Sequence, residues 1–393
     1  MSNNRNEDRY KQYTDKRDGN KYWKFSAYLG INPDTGKEKR TTRSRFKTKA
    51  EAKLAYNRLM TDFKDGKIKS NKKQVPTFNE LYEEWLAHHR LEVRASTVAT
   101  NRRFIEKHVL PVLGKYKIDK ITVSQCQEIV NMWQKDYKQS KYFRRVTAQV
   151  LQYAVRMQYI QNNCMKNTIP PKNISTKKTN FYTKEQLETF FECLNHHVMN
   201  NGRTGLKLLA FFRVLAFTGL RKSEVLSLQW KDINIKEATA NIYKTLAVDE
   251  YGKIIIQSTK TVTSTRKVKL DEKTLEILSE WQENQVEWYA KYGINTSDKN
   301  QFIFTNKKNE LYYPQAVNDW LYMILNKYNL PQITIHGFRH TFASLLFKSG
   351  LHPKTAQELL GHKNIETTMN IYTHVTESDL KNAHDQFANY VDF

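Results

Sequence analysis

Hydrophobic and polar positions along the chain change period three times. Residues 21–30, KYWKFSAYLG, alternate aromatic and polar side chains, as a half-buried strand does. NPDTGK at 32–37 is a turn signal, and EKRTTRSRF at 38–46 then predicts a second, very basic strand. TKAEAKLAYNRLMTDFKDGK takes up the helical period and runs to a glycine. A small sheet with one helix is expected, its sheet face studded with Lys and Arg.

The second stretch is helical throughout. PTFNELYEEWLAHH opens with a capping-box pattern, Thr77 with Glu80 three residues on. ASTVATNRRFIEKHVLPVLG, TVSQCQEIVNMWQKDY and SKYFRRVTAQVLQYAVRMQYI carry apolar residues at three- and four-residue spacing. About four helices are expected, decorated by Arg102, Arg103, Lys107, Lys141, Arg144 and Arg145. The third stretch starts at YTKEQLETFFECL, again with a capping pattern (Thr183, Gln186), and is mainly helical. The alternating runs ATANIYKT, GKIIIQST and RKVKL interrupt it and predict one small antiparallel sheet. Linkers rich in Lys, KIKSNKKQV and the Pro-containing NTIPPKNISTKKTN, separate the three. The expected architecture is multidomain and mainly α: a small N-terminal α+β domain over residues 1–70, an all-α domain over 75–170, and a mainly-α domain with a small antiparallel sheet over 180–393.

Composition narrows the class. The 393 residues are 39% hydrophobic, enough to build real cores, and no apolar run is long enough to span a membrane. The polar, acid-containing N-terminus is not a secretory signal. Three cysteines cannot form a disulfide framework, and a reducing cytoplasm fits them. Charge points to a partner: 64 Lys and Arg against 40 Asp and Glu leave +24, the balance of a protein that meets a polyanion. Residues 1–73 alone hold 21 basic and 9 acidic side chains, half of that excess. The basic sheet is therefore expected to contact DNA, with Lys and Arg on phosphates.

Candidate chemistry clusters late in the chain. In LLAFFRVLAFTGLRKSEVLSLQW (208–230) a buried helix meets a Thr-Gly break and a second helix begins at Arg221. That arginine is either a snorkelling surface residue or a guanidinium aimed into an anion pocket. In ITIHGFRHTFASLLFKSG (333–350), His336 and Arg339 are three apart and share a helix face, and Phe342, Leu345 and Leu346 are expected to be core. His352-Pro353 starts a further helix that ends at Gly361, His362 follows at once, and Tyr372 comes ten residues later. No paired carboxylates, no HExxH, no Cys/His cluster and no GxxxxGK[ST] loop accompany them. Arginines bind phosphate bidentately, imidazoles donate to oxyanions and move protons, and a phenol can be a nucleophile. Together they could bind one phosphodiester, stabilise its charged transition state and attack it with a phenolate, without a metal or other cofactor. A phenol pKa near 10 means that neighbouring cations would have to activate it.

Arg221 in TGLRKSE, HGFRH (336–340), LLGH (359–362) and NIYTH (370–374) resemble, in order and spacing, the signature of the tyrosine recombinases, the phage-integrase family. The resemblance covers roughly residues 75–385, and the basic N-terminal sheet is similar to the arm-site-binding domain of phage and conjugative-transposon integrases. It implies a helical core-binding domain and a catalytic domain that clamp double-stranded DNA from opposite sides, with Arg221 and Arg339 on the scissile phosphate. His336 and His362 would hydrogen-bond its oxygens, and Tyr372 would attack to leave a 3′-phosphotyrosine and a free 5′-hydroxyl. The family also carries a hairpin lysine that protonates the leaving oxygen. STKTVTSTRKVKL (258–270) fits that hairpin and Lys260 is the choice, with Lys267 and Lys253 as competitors. Glu224, three residues after Arg221, either orients it or is a helix-surface acid.

The resemblance further implies a tetramer on core-type and arm-type attachment sites, with an excisionase and a DNA-bending host factor as accessory partners. The tail TESDLKNAHDQFANYVDF would cap its own domain or, as the family favours, dock into a neighbour. Competing functions are a chromosome-dimer resolvase, a topoisomerase IB-like strand transferase, a catalytically inert DNA-binding regulator of the same fold, and a metal-dependent nuclease. The extra basic module argues against the first two, the intact residue set against the third, and the missing acidic cluster against the last.

Overall fold

The computed structural model describes residues 9–31, 38–65, 75–171, 180–259 and 265–361, together with positions 365 and 369. Most of both linkers, the C-terminal tail, Lys260, His362 and Tyr372 lie outside the described residues.

The first unit is an antiparallel meander of β1 (Tyr10–Thr14), β2 (Lys21–Ile31) and β3 (Glu38–Phe46), covered on one face by α1 (Lys49–Lys64). Alternation along β2 buries Phe25, Ala27 and Leu29 against Ala52 and the partly buried Tyr56, Leu59 and Phe63 of the helix. The other face follows from the register. Lys11 lies opposite Lys24, Tyr13 opposite Tyr22, Ser26 opposite Thr42 and Tyr28 opposite Arg40. Lys24 sits over the Tyr13 ring and Arg40 over Tyr28, so the outer face is a mixed basic and aromatic surface. The sequence pattern predicts two strands here and the structure has three. YKQYT buries only Tyr10 against the core while its other side chains stay polar, so its alternation is too weak to read.

The second unit is all helical: α2 (Phe78–Glu92), α3 (Ala95–Phe104), α4 (Leu110–Leu113), α5 (Val123–Asp136) and α6 (Ser140–Arg156). Residues Ile105–Val109 form a π-turn that joins α3 to α4, just before Pro111, which has no N–H to give the helix. Both halves of the Thr77–Glu80 capping box form at the start of α2. Phe78, Tyr82, Trp133, Phe143 and Leu151 are completely or almost completely buried in its core.

The third unit opens with α7 (Lys184–Thr218), started by the Thr183–Gln186 capping box and bent where Gly202 leaves helical geometry. A one-turn helix α8 (Lys222–Val225) follows, then β4 (Ile233–Asn234), β5 (Thr239–Ile242), β6 (Lys244–Val248), β7 (Ile254–Ser258) and β8 (Arg266–Lys269). Helices α9 (Glu272–Ala290), α10 (Ala316–Lys327), α11 (Ile335–Lys348) and α12 (Pro353–Leu360) complete it. The expected single sheet is two. β5 pairs with β4 and β8, whereas β6 and β7 form a separate hairpin turning through 249–253. ATANIYKT is thus divided at Tyr243, and the described ends of 258–270 lie in different sheets, Ser258 paired with β6 and Arg266–Lys269 with β5, while residues 260–264 between them lie outside the described residues. Phe342, Leu345 and Leu346 are only half-buried; the buried face of α11 is Phe338, Arg339, Thr341, Ala343, Ser344 and Phe347.

The helical unit and the β6–β7 hairpin are clasped together. Arg90 makes two 2.8 Å bonds to the Glu250 carboxylate, and Arg102 reaches the same group at 3.2 Å. Arg94 donates to the Ser258 and Thr259 carbonyls at 2.7 and 2.8 Å. Two of the expected surface cations are therefore engaged: Arg102 here, and Arg144 on the Thr168 hydroxyl and the Lys166 and Thr168 carbonyls.

Candidate active site

The site is built where three chain segments end. The apolar half of α7 stops at Gly219, which adopts a left-handed φ of 62°. A Cβ there would stand 2.6 Å from the Phe342 ring and 3.0 Å from Leu360, so both the backbone turn and the close approach call for glycine. The turn delivers Arg221 to the N-cap of α8. Its backbone N–H donates to Glu224 Oε2 at 3.0 Å and its Nη1 to Oε1 at 2.9 Å. Glu224 is 3% exposed, so it is not a surface acid but the group that orients Arg221. Burial alone would raise its pKa and is outweighed by the Arg266 and Arg221 guanidiniums, which leave it below the ordinary carboxylate value.

Arg339 lies on the inward face of α11 and is 1% exposed. It donates to the Gly219 carbonyl at 2.8 Å and to the Leu360 carbonyl at 2.6 Å. Gly219 is the left-handed C-cap of α7 and Leu360 is the last residue of α12, so both carbonyls lie at helix ends, where orphan carbonyls carry partial negative charge. That is what makes a buried cation tolerable here. Burial first, then Arg221 and Arg266, depress its pKa to about 9, with Glu224 opposing. Through these two bonds Arg339 ties the ends of α7 and α12 together, a role additional to the phosphate contact expected of it.

His336 is the second residue of α11, open to solvent on one side and packed beside the helix start on the other. Loss of hydration beside the helix, then His340, Arg339 and Arg221, lower its pKa to about 4, so it is a neutral imidazole at pH 7. The His340 ring stands perpendicular to it at 4.7 Å. Arg221, Lys222, Asn318, Thr334 and His336 line one cleft of about 270 Å³. A larger cleft of about 760 Å³ lies between α3 and the β6–β7 hairpin, away from this set.

Three of the six candidates, Arg221, His336 and Arg339, are thus brought together. Lys260, His362 and Tyr372 lie outside the described residues, although the chain reaches Gly361 directly beside Arg339. Of the competing lysines, Lys267 points away. Alternation on β8 turns Arg266 inward, so Lys267 faces outward, where it pairs with Glu237 at 3.3 Å. Lys253 sits in the far turn of the hairpin, its N–H on Asp249.

The sequence reading missed Arg266. Its side chain is 8% exposed, with Nη2 3.1 Å from Glu224 Oε2 and Nε 3.2 Å from the Leu359 carbonyl. The available signal was the period of RKVKL, which places Arg266 on the same face as buried Val268 and Leu270.

Profiles of known families match most of the chain. The Phage integrase family covers residues 180–379, the phage-integrase N-terminal SAM-like domain 77–139, and an Arm DNA-binding domain 12–63. The ICEBs1 integrase of Bacillus subtilis is 25% identical over 371 residues, which are 93% of this chain and 97% of that protein. The transposase from transposon Tn916 of Enterococcus faecalis is 32% identical over 172 residues, 42% of this chain and 41% of its own. Among solved structures, the Tn1549 transposon integrase in complex with a circular intermediate DNA shares the fold with a TM-score of 0.63 at 21% identity. It covers 78% of this chain and 99% of that one. A lambda integrase tetramer bound to a Holliday junction does so at 0.56 and 16% identity, covering 89% and 92%. Among the described residues no helix is long and apolar enough to cross a membrane.

Proposed function

The chain belongs to the phage integrase family, and from that premise we propose that it cleaves and rejoins DNA through a covalent bond to Tyr372. The observation that carries this is the cleft in which Arg221, held by a buried carboxylate, faces neutral His336, with Arg339 fixed behind them. A scissile phosphate entering there meets a guanidinium whose Nε and Nη2 have no partner among the described residues. The Tyr372 oxygen attacks phosphorus as the bond to the 5′-oxygen breaks. The phenol proton leaves to a neighbouring base, and Lys260 gives a proton to the 5′-oxygen. One phosphodiester is exchanged for another, so the reverse attack by a 5′-hydroxyl of a second duplex rejoins the strand without ATP. His362, next in sequence to Gly361, would complete the hydrogen bonds to the phosphate. The outward side of Lys267 and the remote turn of Lys253 support Lys260 as the proton donor.

The reaction is read as metal-independent because three guanidiniums around one carboxylate repel a divalent cation and already supply charge stabilisation. Three units divide the work: residues 1–70 on arm-type sites through the outer face of β1–β3, 75–170 on the core site, and 180–393 in catalysis. The lambda integrase tetramer on a Holliday junction supports a tetramer exchanging strands between two duplexes, and chromosomal DNA as substrate supports a cytoplasmic location. The test is a nicked suicide duplex spanning the core site, incubated with the full chain in chelator. A detergent-stable protein–DNA adduct that disappears in Tyr372→Phe is expected. Cleavage without an adduct, or an adduct indifferent to that substitution, would overturn the reading.

A further inference from the structure

Glu224 is a buried carboxylate between two guanidiniums, and only one of them belongs to the expected phosphate clamp. The other, Arg266, comes from β8 and is spent internally. Nη2 and Nη1 lie 3.1 and 3.5 Å from the two carboxylate oxygens, and Nε donates to the Leu359 carbonyl. One side chain thereby links three elements: the β8 strand, the α8 turn that carries Arg221, and the last turn of α12. The Arg266 side chain is 8% exposed, and Nε, Nη1 and Nη2 are all engaged by protein oxygens. We propose that Arg266 is a positioning residue of the strand-transfer site: it sets the placement of Arg221 through Glu224, and that of the chain entering His362 through the end of α12. This rests on the reading of the cleft as the phosphate site.

The physical case is one of charge and geometry. A carboxylate as buried as Glu224 stays ionised only if cations face it. Those facing it are Arg221 on its own turn, Arg266 from β8 and, more distantly, Arg339 from α11. Lys244 on the neighbouring β6 is committed to Asp232 at 2.7 Å, and His336 on α11 is neutral. Removing Arg266 leaves Arg221 as the only contacting cation among the described residues, so Glu224 protonates more readily and releases the Arg221 Nη1 that it holds. The carbonyl of Leu359 loses its donor at the same time, while Arg339 retains the next carbonyl along.

The experiment measures adduct formation on the suicide duplex from pH 7 down to pH 5 for the wild type, Arg266→Met, Arg266→Lys, and Arg266→Met combined with Glu224→Gln. DNA affinity and melting temperature are followed in parallel. Arg266→Met is expected to bind DNA as the wild type does but to cleave about ten- to a hundredfold more slowly, the scale of a misplaced reacting group. It should also lose further activity as the pH falls, a limb absent from the wild type. The double variant should lack that limb, because glutamine does not titrate. Arg266→Lys should also lack it, because the charge returns, while remaining slow because an ammonium cannot bridge both partners. A wild-type pH profile in Arg266→Met, or a rate loss that tracks lost DNA affinity or lost melting temperature, would overturn the proposal. If Arg266→Met does not fold, Glu224→Gln alone decides: a wild-type rate there overturns it equally, and a slow, flat profile supports it. Tyr372→Phe serves as the separate control on the chemistry, since an adduct surviving in it would defeat the tyrosine reading whatever Arg266 does.

Discussion

At the scale of single residues, the site is held by groups that share partners. Glu224 serves Arg221 and Arg266, and the Gly219 carbonyl serves Arg339. Gly219→Ala therefore tests two things together. The left-handed φ costs a non-glycine residue about 1–2 kcal/mol, and the added methyl must displace Phe342 or Leu360. We expect a loss of about 2–4 kcal/mol in urea unfolding, strain and overpacking combined, and slower cleavage because the carbonyl under Arg339 shifts. An unchanged midpoint would refute the packing account. His336 gives a prediction in pH. Its folded-state pKa is about 4, below the ordinary 6.5, so the unfolded chain binds this proton more tightly. Its contribution to stability is fully present above pH 6.5 and is lost as the pH falls towards 4; His340 shifts in the same direction. An NMR titration of the His336 ring should show a midpoint well below 6.5, moving upward when inorganic phosphate occupies the cleft and offsets the cations. A free-protein midpoint at or above 6.5 would contradict the depression.

At the scale of elements, helices were legible because each carries its own signal. The Thr77–Glu80 and Thr183–Gln186 boxes and the stop at Gly361 are local events that need no partner to be read. Strand pairing is not local. Nothing in ATANIYKT says that its first half pairs with β8 and its second with β7, since the choice depends on residues twelve to thirty positions away. The α11 face failed for a different reason. An arginine counts as polar in any periodic reading, yet Arg339 is buried because two helix-end carbonyls satisfy it, while Phe342, Leu345 and Leu346 stay half-buried. Arg266 was missed on the same ground. Sequence order could assemble Arg221, His336 and Arg339 because their motifs sit at helix starts and turns. It could not show that Glu224 is buried, as that depends on a strand more than forty residues away.

At the scale of the whole molecule, the question is what keeps the helical unit and the catalytic unit in register while DNA is worked on between them. The described contact is the clasp of Arg90, Arg94 and Arg102 on the β6–β7 hairpin, centred on Glu250, whose side chain is 10% exposed. The side-chain bonds of Arg90 and Arg102 first, with their charges, hold its pKa below the ordinary carboxylate value, so the carboxylate stays charged through neutral pH. The two arginine side chains remain 39% and 32% exposed, and a pair screened by solvent in this way contributes only up to about 1 kcal/mol, which is about fivefold in the clasped population. The network is thus strong enough to bias closure and weak enough to open for loading. Charge reversal, Glu250→Arg, sets four guanidiniums against one another. It should loosen the clasp while adding positive charge that strengthens non-specific DNA binding at low salt. The expected result is a split: tighter, more salt-sensitive binding with slower adduct formation. The exchange variant, Arg90→Glu with Glu250→Arg, restores one pair and should recover part of the cleavage rate. If Glu250→Arg cleaves as fast as the wild type at matched DNA occupancy, the clasp has no part in catalysis. If it cleaves slowly and the exchange recovers nothing, the hairpin depends on Glu250 through contacts other than Arg90.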